Sequence, residues 1–110
     1  MNNFTTIYTE SLLIYGNELT GTIPSSMGAN RIIELIAHGN MLDGTIPESL
    51  FNNIDMTNLR LDSNNFSGQL SNAIGDLTRL VELRLGRNKF GGSIPSSLWK
   101  LTNLRKCINI

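Results

Sequence analysis

The sequence predicts an α/β solenoid, a chain wound into stacked coils, and three observations predict it. One phrase returns four times: GNELTGTIP at 16–24, GNMLDGTIP at 39–47, SNNFSGQLS at 63–71 and RNKFGGSIP at 87–95. Aligned on Asn17, Asn40, Asn64 and Asn88, the phrases follow one another at 23, 24 and 24 residues. A fixed period in the twenties is the signature of a coil stacked on its neighbours. Ahead of each asparagine, apolar residues recur at minus five and minus three: Leu12 and Ile14, Leu35 and Ala37, Leu59 and Leu61, Leu83 and Leu85. At minus eight stand Thr9, Ile32, Met56 and Leu80.

Each element follows from that frame. Inward residues two apart specify one short strand per coil, near 11–15, 34–38, 58–62 and 82–86. Stacked about 4.8 Å apart, the strands form a parallel sheet along one face of the solenoid. The asparagine then turns the chain out of the strand. Its amide both donates and accepts, so it can satisfy backbone groups that the turn leaves unpaired. Asn17, Asn40, Asn64 and Asn88 are therefore expected to form a structural ladder. Two places later come Leu19, Leu42, Phe66 and Phe90, then the glycines Gly21, Gly44, Gly68 and Gly92 where the backbone bends sharply. Pro24, Pro47 and Pro95 end a second short extended segment. The next residues suit single helical or 3-10 turns, with Met27, Leu50, Ile74 and Leu98 facing inward.

The frame L-x-x-L-x-L-x-x-N is that of a leucine-rich repeat. With the phrase L-T-G-x-I-P inside a 24-residue unit, residues 9–106 resemble the plant-type extracellular class found in receptor-like kinases, receptor-like proteins and polygalacturonase inhibitors. The resemblance implies a right-handed superhelix with its sheet on the concave face and irregular or 3-10 turns on the convex face. It also implies an extracellular or cell-surface location and a protein or peptide ligand.

Three departures stand out. The first interval lacks one residue near GANR, on the side where a loop absorbs it. Asn53 replaces an expected leucine beside Ile54, which predicts a local shift around FNNID. Ser71 replaces proline, which predicts a looser second extended segment. At the end, LRKCINI reads as the opening of a fifth repeat, with Leu104, Cys107 and Asn109 in the inward places. The paired cysteines that family members carry in their caps are absent. Residues 1–110 therefore read as a single domain of about four repeats, an uncapped fragment or shortened member of a longer array whose ends could self-associate.

Composition narrows the function classes. The chain has nine basic and nine acidic residues. Residues 1–55 hold one base against six acids, and residues 56–110 hold eight bases against three acids. Lys and Arg are not interleaved with aromatics as in nucleic-acid modules, so no nucleic-acid partner is expected. No run of about 18 apolar residues occurs, so this segment is not expected to insert into a membrane. MNNFTTIYTE lacks the basic start and apolar stretch of a signal peptide. His38 and Cys107 lie at opposite ends of the array, which argues against a Cys–His pair. No phosphate loop, nucleophile elbow or metal-ligand cluster is present, so no enzyme activity, cofactor or metal is expected.

What remains is the outward face of the strands. Its columns read Leu13, Ile36, Arg60, Arg84, then Tyr15, His38, Asp62, Gly86, then Gly16, Gly39, Ser63, Arg87, and at minus six Ser11, Glu34, Asn58, Glu82. Leu13, Tyr15 and Ile36 make an apolar end, and Arg60, Arg84 and Arg87 a basic end. With His38, Asp62 and Glu82 these form the candidate partner-binding surface, unless Glu82 and its neighbours simply pair off with the arginines. His38 could add a response to pH. Two sequons, at Asn3 and Asn65, are candidate glycan sites in a secreted parent. The leading expectation is a non-enzymatic recognition module. The alternatives are an inhibitor of a secreted enzyme, which needs a longer groove, and a structural or ice-surface-binding repeat, which expects uniform outward ranks.

Overall fold

A computed structural model describes residues 11–29 and 31–108. They form a solenoid of 35 × 28 × 21 Å with one parallel sheet along its concave face. That sheet contains β1 (Ser11–Leu13), β3 (Glu34–Ile36), β5 (Asn58–Arg60), β7 (Glu82–Arg84) and β9 (Lys106–Ile108), in that spatial order. Leu12, Leu35, Leu59, Leu83 and Cys107 lie side by side in register, so the inward column of the sequence is one continuous row. The ladder runs past the strands themselves. The N–H groups of Ile14, Ala37 and Leu61 donate to the carbonyls of Ile36, Arg60 and Arg84 at 2.8–3.0 Å.

After the asparagines a second set of parallel strands lines the flank: β2 (Thr20–Gly21), β4 (Met41–Gly44), β6 (Asn65–Gly68) and β8 (Lys89–Phe90). The glycine that ends each of these segments is forced. Gly68 has φ +77°, and a Cβ there would lie 2.6 Å from the Thr45 methyl carbon. Four 3-10 turns then form the convex side: Ser25–Ala29, Glu48–Asn52, Asn72–Asp76 and Ser96–Lys100. Each is closed by an i+3 bond to the residue that precedes it, as from Leu50 N–H to the Pro47 carbonyl at 3.0 Å. Between sheet and turns Leu35, Leu59, Leu83, Met56, Phe66 and Ile74 are fully buried in a continuous apolar core whose burial drives folding.

The ladder asparagines do the polar work of the core. Asn64 Nδ2 donates to the carbonyls of Ala37 in the preceding coil and Leu61 in its own, at 3.0 and 3.2 Å. Its Oδ1 accepts from Leu42 N–H at 3.1 Å. Asn40 makes the same crossing to Ile14 and Leu19, and Asn88 to Leu61 and Phe66. Each amide thus ties two coils together.

Two departures resolve differently from the sequence reading. Ser71 does not loosen its segment. Its φ and ψ of −71° and 145° match the −66° and 137° of Pro47, and its hydroxyl accepts from Ala73 N–H at 3.0 Å. A hydroxyl cap replaces the proline's fixed φ. Nor does Asn53 shift the chain. It occupies the backbone conformation of Leu77 and Leu101, buried like them.

The reason for Asn53 lies in the shortened first coil. In full-length coils the N–H groups of Met56, Leu80 and Leu104 donate to the carbonyls of Asn53, Leu77 and Leu101. In the short coil Ile32 N–H donates instead to Asn53 Oδ1 at 2.9 Å, across the coil boundary. Asn53 Nδ2 caps the Leu50 carbonyl at 2.8 Å and reaches the Met27 carbonyl at 3.4 Å. The residue missing from one coil is answered by an asparagine in the next.

Asn64→Ala leaves buried backbone groups unpaired and is expected to lower the unfolding free energy by about 1–3 kcal/mol in urea titration. Asn53→Leu restores the residue type of the next two coils, yet it should also destabilise, by about 1–3 kcal/mol, because Ile32 N–H loses its acceptor. Unchanged midpoints would refute the bridging roles.

Candidate functional site

The outward columns of the concave sheet are in register as the frame requires. Leu13, Ile36, Arg60 and Arg84 are direct neighbours across four strands, as are Ser11, Glu34, Asn58 and Glu82. The face divides into two chemically distinct halves along the solenoid axis.

In the first two coils the surface is apolar. Leu13 and Tyr15 are 55% and 52% exposed, unusual for large apolar side chains with a choice of burial. Tyr15 stacks on His38 with ring centroids 5.2 Å apart and planes 1° from parallel. Stacking holds the imidazole half-buried, and its Nδ1 is buried without a hydrogen-bond partner. At the rim Ser11 Oγ donates to Glu34 Oε1 at 2.8 Å.

In the third and fourth coils the surface is charged but largely neutralised. Arg60 meets Asp62 with both Nε and one terminal nitrogen at 3.4 Å. Arg84 Nε donates to Glu82 Oε2 at 2.7 Å. Both pairs are two residues apart, hence on one face of a strand. Glu82 also accepts from Asn58 Nδ2 at 3.1 Å, and Thr57 Oγ1 donates to Asn58 Oδ1 at 2.9 Å. The expected basic end is thus a network of paired charges around Arg60 and Arg84. Asn58 and Glu34 were readable as members of the column, but their bonds to neighbouring coils were not.

Arg87 stands apart from that network. The column just before each ladder asparagine is left-handed in every coil: Gly16 φ +67°, Gly39 +71°, Ser63 +57° and Arg87 +54°. Glycine meets that demand without strain, whereas an L side chain costs about 1–2 kcal/mol there. Strain of this kind is a pointer to function. Arg87 is an exposed cation at the edge of the charged half.

Among the remaining candidates, Asn65 is the exposed first residue of β6 on the flank, away from the concave face. Asn3, Thr9 and Asn109 lie outside the described residues. Among the described residues no group of His, Cys, Asp and Glu could hold a metal, and no helix is long and apolar enough to cross a membrane.

Comparison with known proteins agrees with this architecture. The model of the Leucine Rich Repeat family matches residues 55–77 and 79–101. No curated protein sequence matches the chain. Among solved structures, the chain is 32% identical to the ectodomain of the plant membrane receptor kinase GASSHO1/SCHENGEN3 from Arabidopsis thaliana, solved with CASPARIAN STRIP INTEGRITY FACTOR 2. That match covers 89% of this chain and 12% of the receptor, with a TM-score of 0.86. It is 37% identical to PEPR1, solved with AtPEP1, over 88% of this chain and 14% of the receptor, with a TM-score of 0.84. A plant ice-binding protein is also 37% identical, over 86% of this chain and 31% of its own, with a TM-score of 0.80. The chain thus spans about an eighth of the length of the receptor ectodomains it resembles.

Arg87→Gly relieves the left-handed strain and is expected to raise the unfolding free energy by about 1 kcal/mol, measured by urea titration. A loss of stability would show that Arg87 makes a stabilising contact that outweighs its backbone strain.

Proposed function

We propose that this chain, an array of leucine-rich repeats of the plant type, is a non-catalytic recognition module whose concave sheet binds an extended peptide or protein segment. The observation that carries the reading is the division of the concave face. An exposed apolar half built from Leu13, Tyr15, Ile36 and His38 adjoins a half of ordered charge pairs at Arg60, Asp62, Glu82 and Arg84. The apolar half supplies binding energy, with Tyr15 as a rigid aromatic anchor. The ordered pairs orient polar groups at low entropic cost, because their side chains are already fixed. Arg87 offers a further cation at the rim.

A peptide suited to this surface carries an apolar or aromatic residue over coils one and two and an acidic group near Arg87. Among the receptors with which the chain shares its repeats, HAESA was solved with the peptide hormone IDA and the plant peptide hormone receptor RGFR1 with RGF2. We further propose that the protein acts at the cell surface, a reading the receptor likeness supports, and that the exposed sequon at Asn65 carries a glycan there. The inhibitor reading shares this surface but rests on no separate observation. An ice-surface role gains some support from the ice-binding neighbour and from the exposed flank rank of Thr22, Thr45 and Ser93, though Gln69 interrupts it.

Peptides selected from a random display library against the immobilised chain should lose at least about tenfold in affinity, ~1.4 kcal/mol, with Tyr15→Ala or Ile36→Asp. Arg84→Ala and Arg87→Gly should weaken acidic peptides selectively, with the circular-dichroism spectrum unchanged. Selected peptides indifferent to all four variants would refute the concave site, and thermal hysteresis in freezing assays would favour ice. In secretion through plant cells, Asn65 should gain a mass increment that peptide N-glycosidase removes and Asn65→Gln abolishes.

A further inference from the structure

His38 is the only histidine of the chain, and it stands at the seam between the two halves of the concave face. Its column runs Tyr15, His38, Asp62, one residue per coil. The backbone keeps that alignment: Gly16 N–H donates to the His38 carbonyl at 2.9 Å, and Gly39 N–H to the Asp62 carbonyl at 3.1 Å. On one side the imidazole lies parallel to the Tyr15 ring. On the other comes Asp62, whose carboxylate is already engaged by Arg60 at 3.4 Å. Glu34, four residues back in its own coil, accepts from Ser11 at 2.8 Å. The titratable and charged groups around the ring are thus Tyr15 from the preceding coil, Arg60 and Asp62 from the following one, and Glu34 from its own. Described coils lie on both sides of His38.

Nothing in this arrangement fixes the charge of the ring. A histidine held as imidazolium has a carboxylate bound to it, and one held neutral has a hydrogen bond that selects its tautomer. His38 Nδ1 is buried with no hydrogen-bond partner, and the carboxylate of its own column is committed to Arg60. The Tyr15 stack does not choose either, since an aromatic face accepts a neutral ring and a cation alike. The charge is left to the solution, and histidine ordinarily titrates between pH 5 and 8.

What changes with that charge is the share of the face that belongs to each half. Neutral, His38 continues the apolar surface of Leu13, Tyr15 and Ile36. Protonated, it sets a cation beside Ile36, where covering it with an apolar group strips its hydration and a carboxylate is attracted. We propose that His38 makes ligand choice on the second coil depend on pH, an inference that rests on the concave face being the binding surface. Acid turns the second coil from a seat for an apolar residue into a seat for a carboxylate.

The probes are N-acetylated, histidine-free peptides selected at pH 7.5, which carry no group that titrates between pH 5.5 and 7.5. The peptide position that responds to Ile36→Asp marks the residue over the second coil, and a leucine and a glutamate peptide are compared there. From pH 7.5 to 5.5 the leucine peptide should weaken about fivefold and the glutamate peptide should tighten by a similar factor. His38→Phe should remove both responses. As the only histidine, His38 gives a separate imidazole signal in proton NMR. By linkage, bound leucine peptide should lower its titration midpoint and bound glutamate peptide should raise it. Affinities indifferent to pH, responses that persist in His38→Phe, or a midpoint that ignores the bound peptide would each overturn the proposal. If Tyr15→Ala and Ile36→Asp still weaken the peptides, the concave site survives that result. Peptides indifferent to those two variants remove the site, and the pH response with it.

Discussion

The constraint on which the rest of the structure depends is the fate of backbone hydrogen bonds where each strand ends. A coil of about two dozen residues must leave its sheet, cross the core and return, and every turn strips N–H and C=O groups of strand partners inside an apolar interior. The ladder asparagine meets this cost with one amide that bonds in its own coil and the preceding one. Leucine at that position would pack as well and satisfy nothing. Because each amide reaches back by one coil, the bond that closes a turn also sets the stacking distance. The flank strands keep the same coil order as the sheet.

Once stacking depends on side-chain bonds across coils, irregularities must be corrected across coils too. The shortened first coil and Asn53 are such a pair, separated in sequence but opposite one another in the solenoid. Ser71 corrects within its own coil by capping the turn that proline would have started. On the convex side Gly28 and Gly75 leave room for the following turn, whose Ser49 and Ser97 bond back at 2.7 Å, and Phe51 is buried at the equivalent place of the second turn. A repeat protein of this kind is therefore not a sum of identical units, since the shortened coil is matched by Asn53 of its neighbour and the lost proline by a cap in its own coil.

This explains which parts were legible in the sequence. The inward columns, the asparagine ladder and the outward register are dictated by periodicity alone, and Leu12, Leu35, Leu59 and Leu83 fall side by side as the frame requires. Compensation is not periodic. Asn53 reads as a defect until Ile32 is seen beside it. The candidate surface shows the same division. Membership of Arg60 and Arg84 in one column follows from spacing, but their neutralisation depends on rotamers that bring Asp62 and Glu82 alongside, which spacing leaves open. The Tyr15–His38 stack likewise needs the two rings to choose parallel orientations. The left-handed column was hidden for another reason: two of its members are not glycine, so only the backbone reveals the shared conformation.

Arg87 and Ser63 bring these strands of the argument together. A solenoid selected for stability alone would place glycine at all four left-handed positions, since nothing in the coil needs a side chain there. Glycine holds in the two apolar coils, where the surface is flat and Tyr15 and Leu13 already protrude. It is given up in the two charged coils, where the backbone bears strain to project a hydroxyl and a guanidinium toward the open face. The strain, the ion pairs and the aromatic stack all lie on the concave side, where residues differ from coil to coil. Most of what holds this molecule together repeats, and the left-handed departures that cost stability lie on the face proposed above to meet a partner.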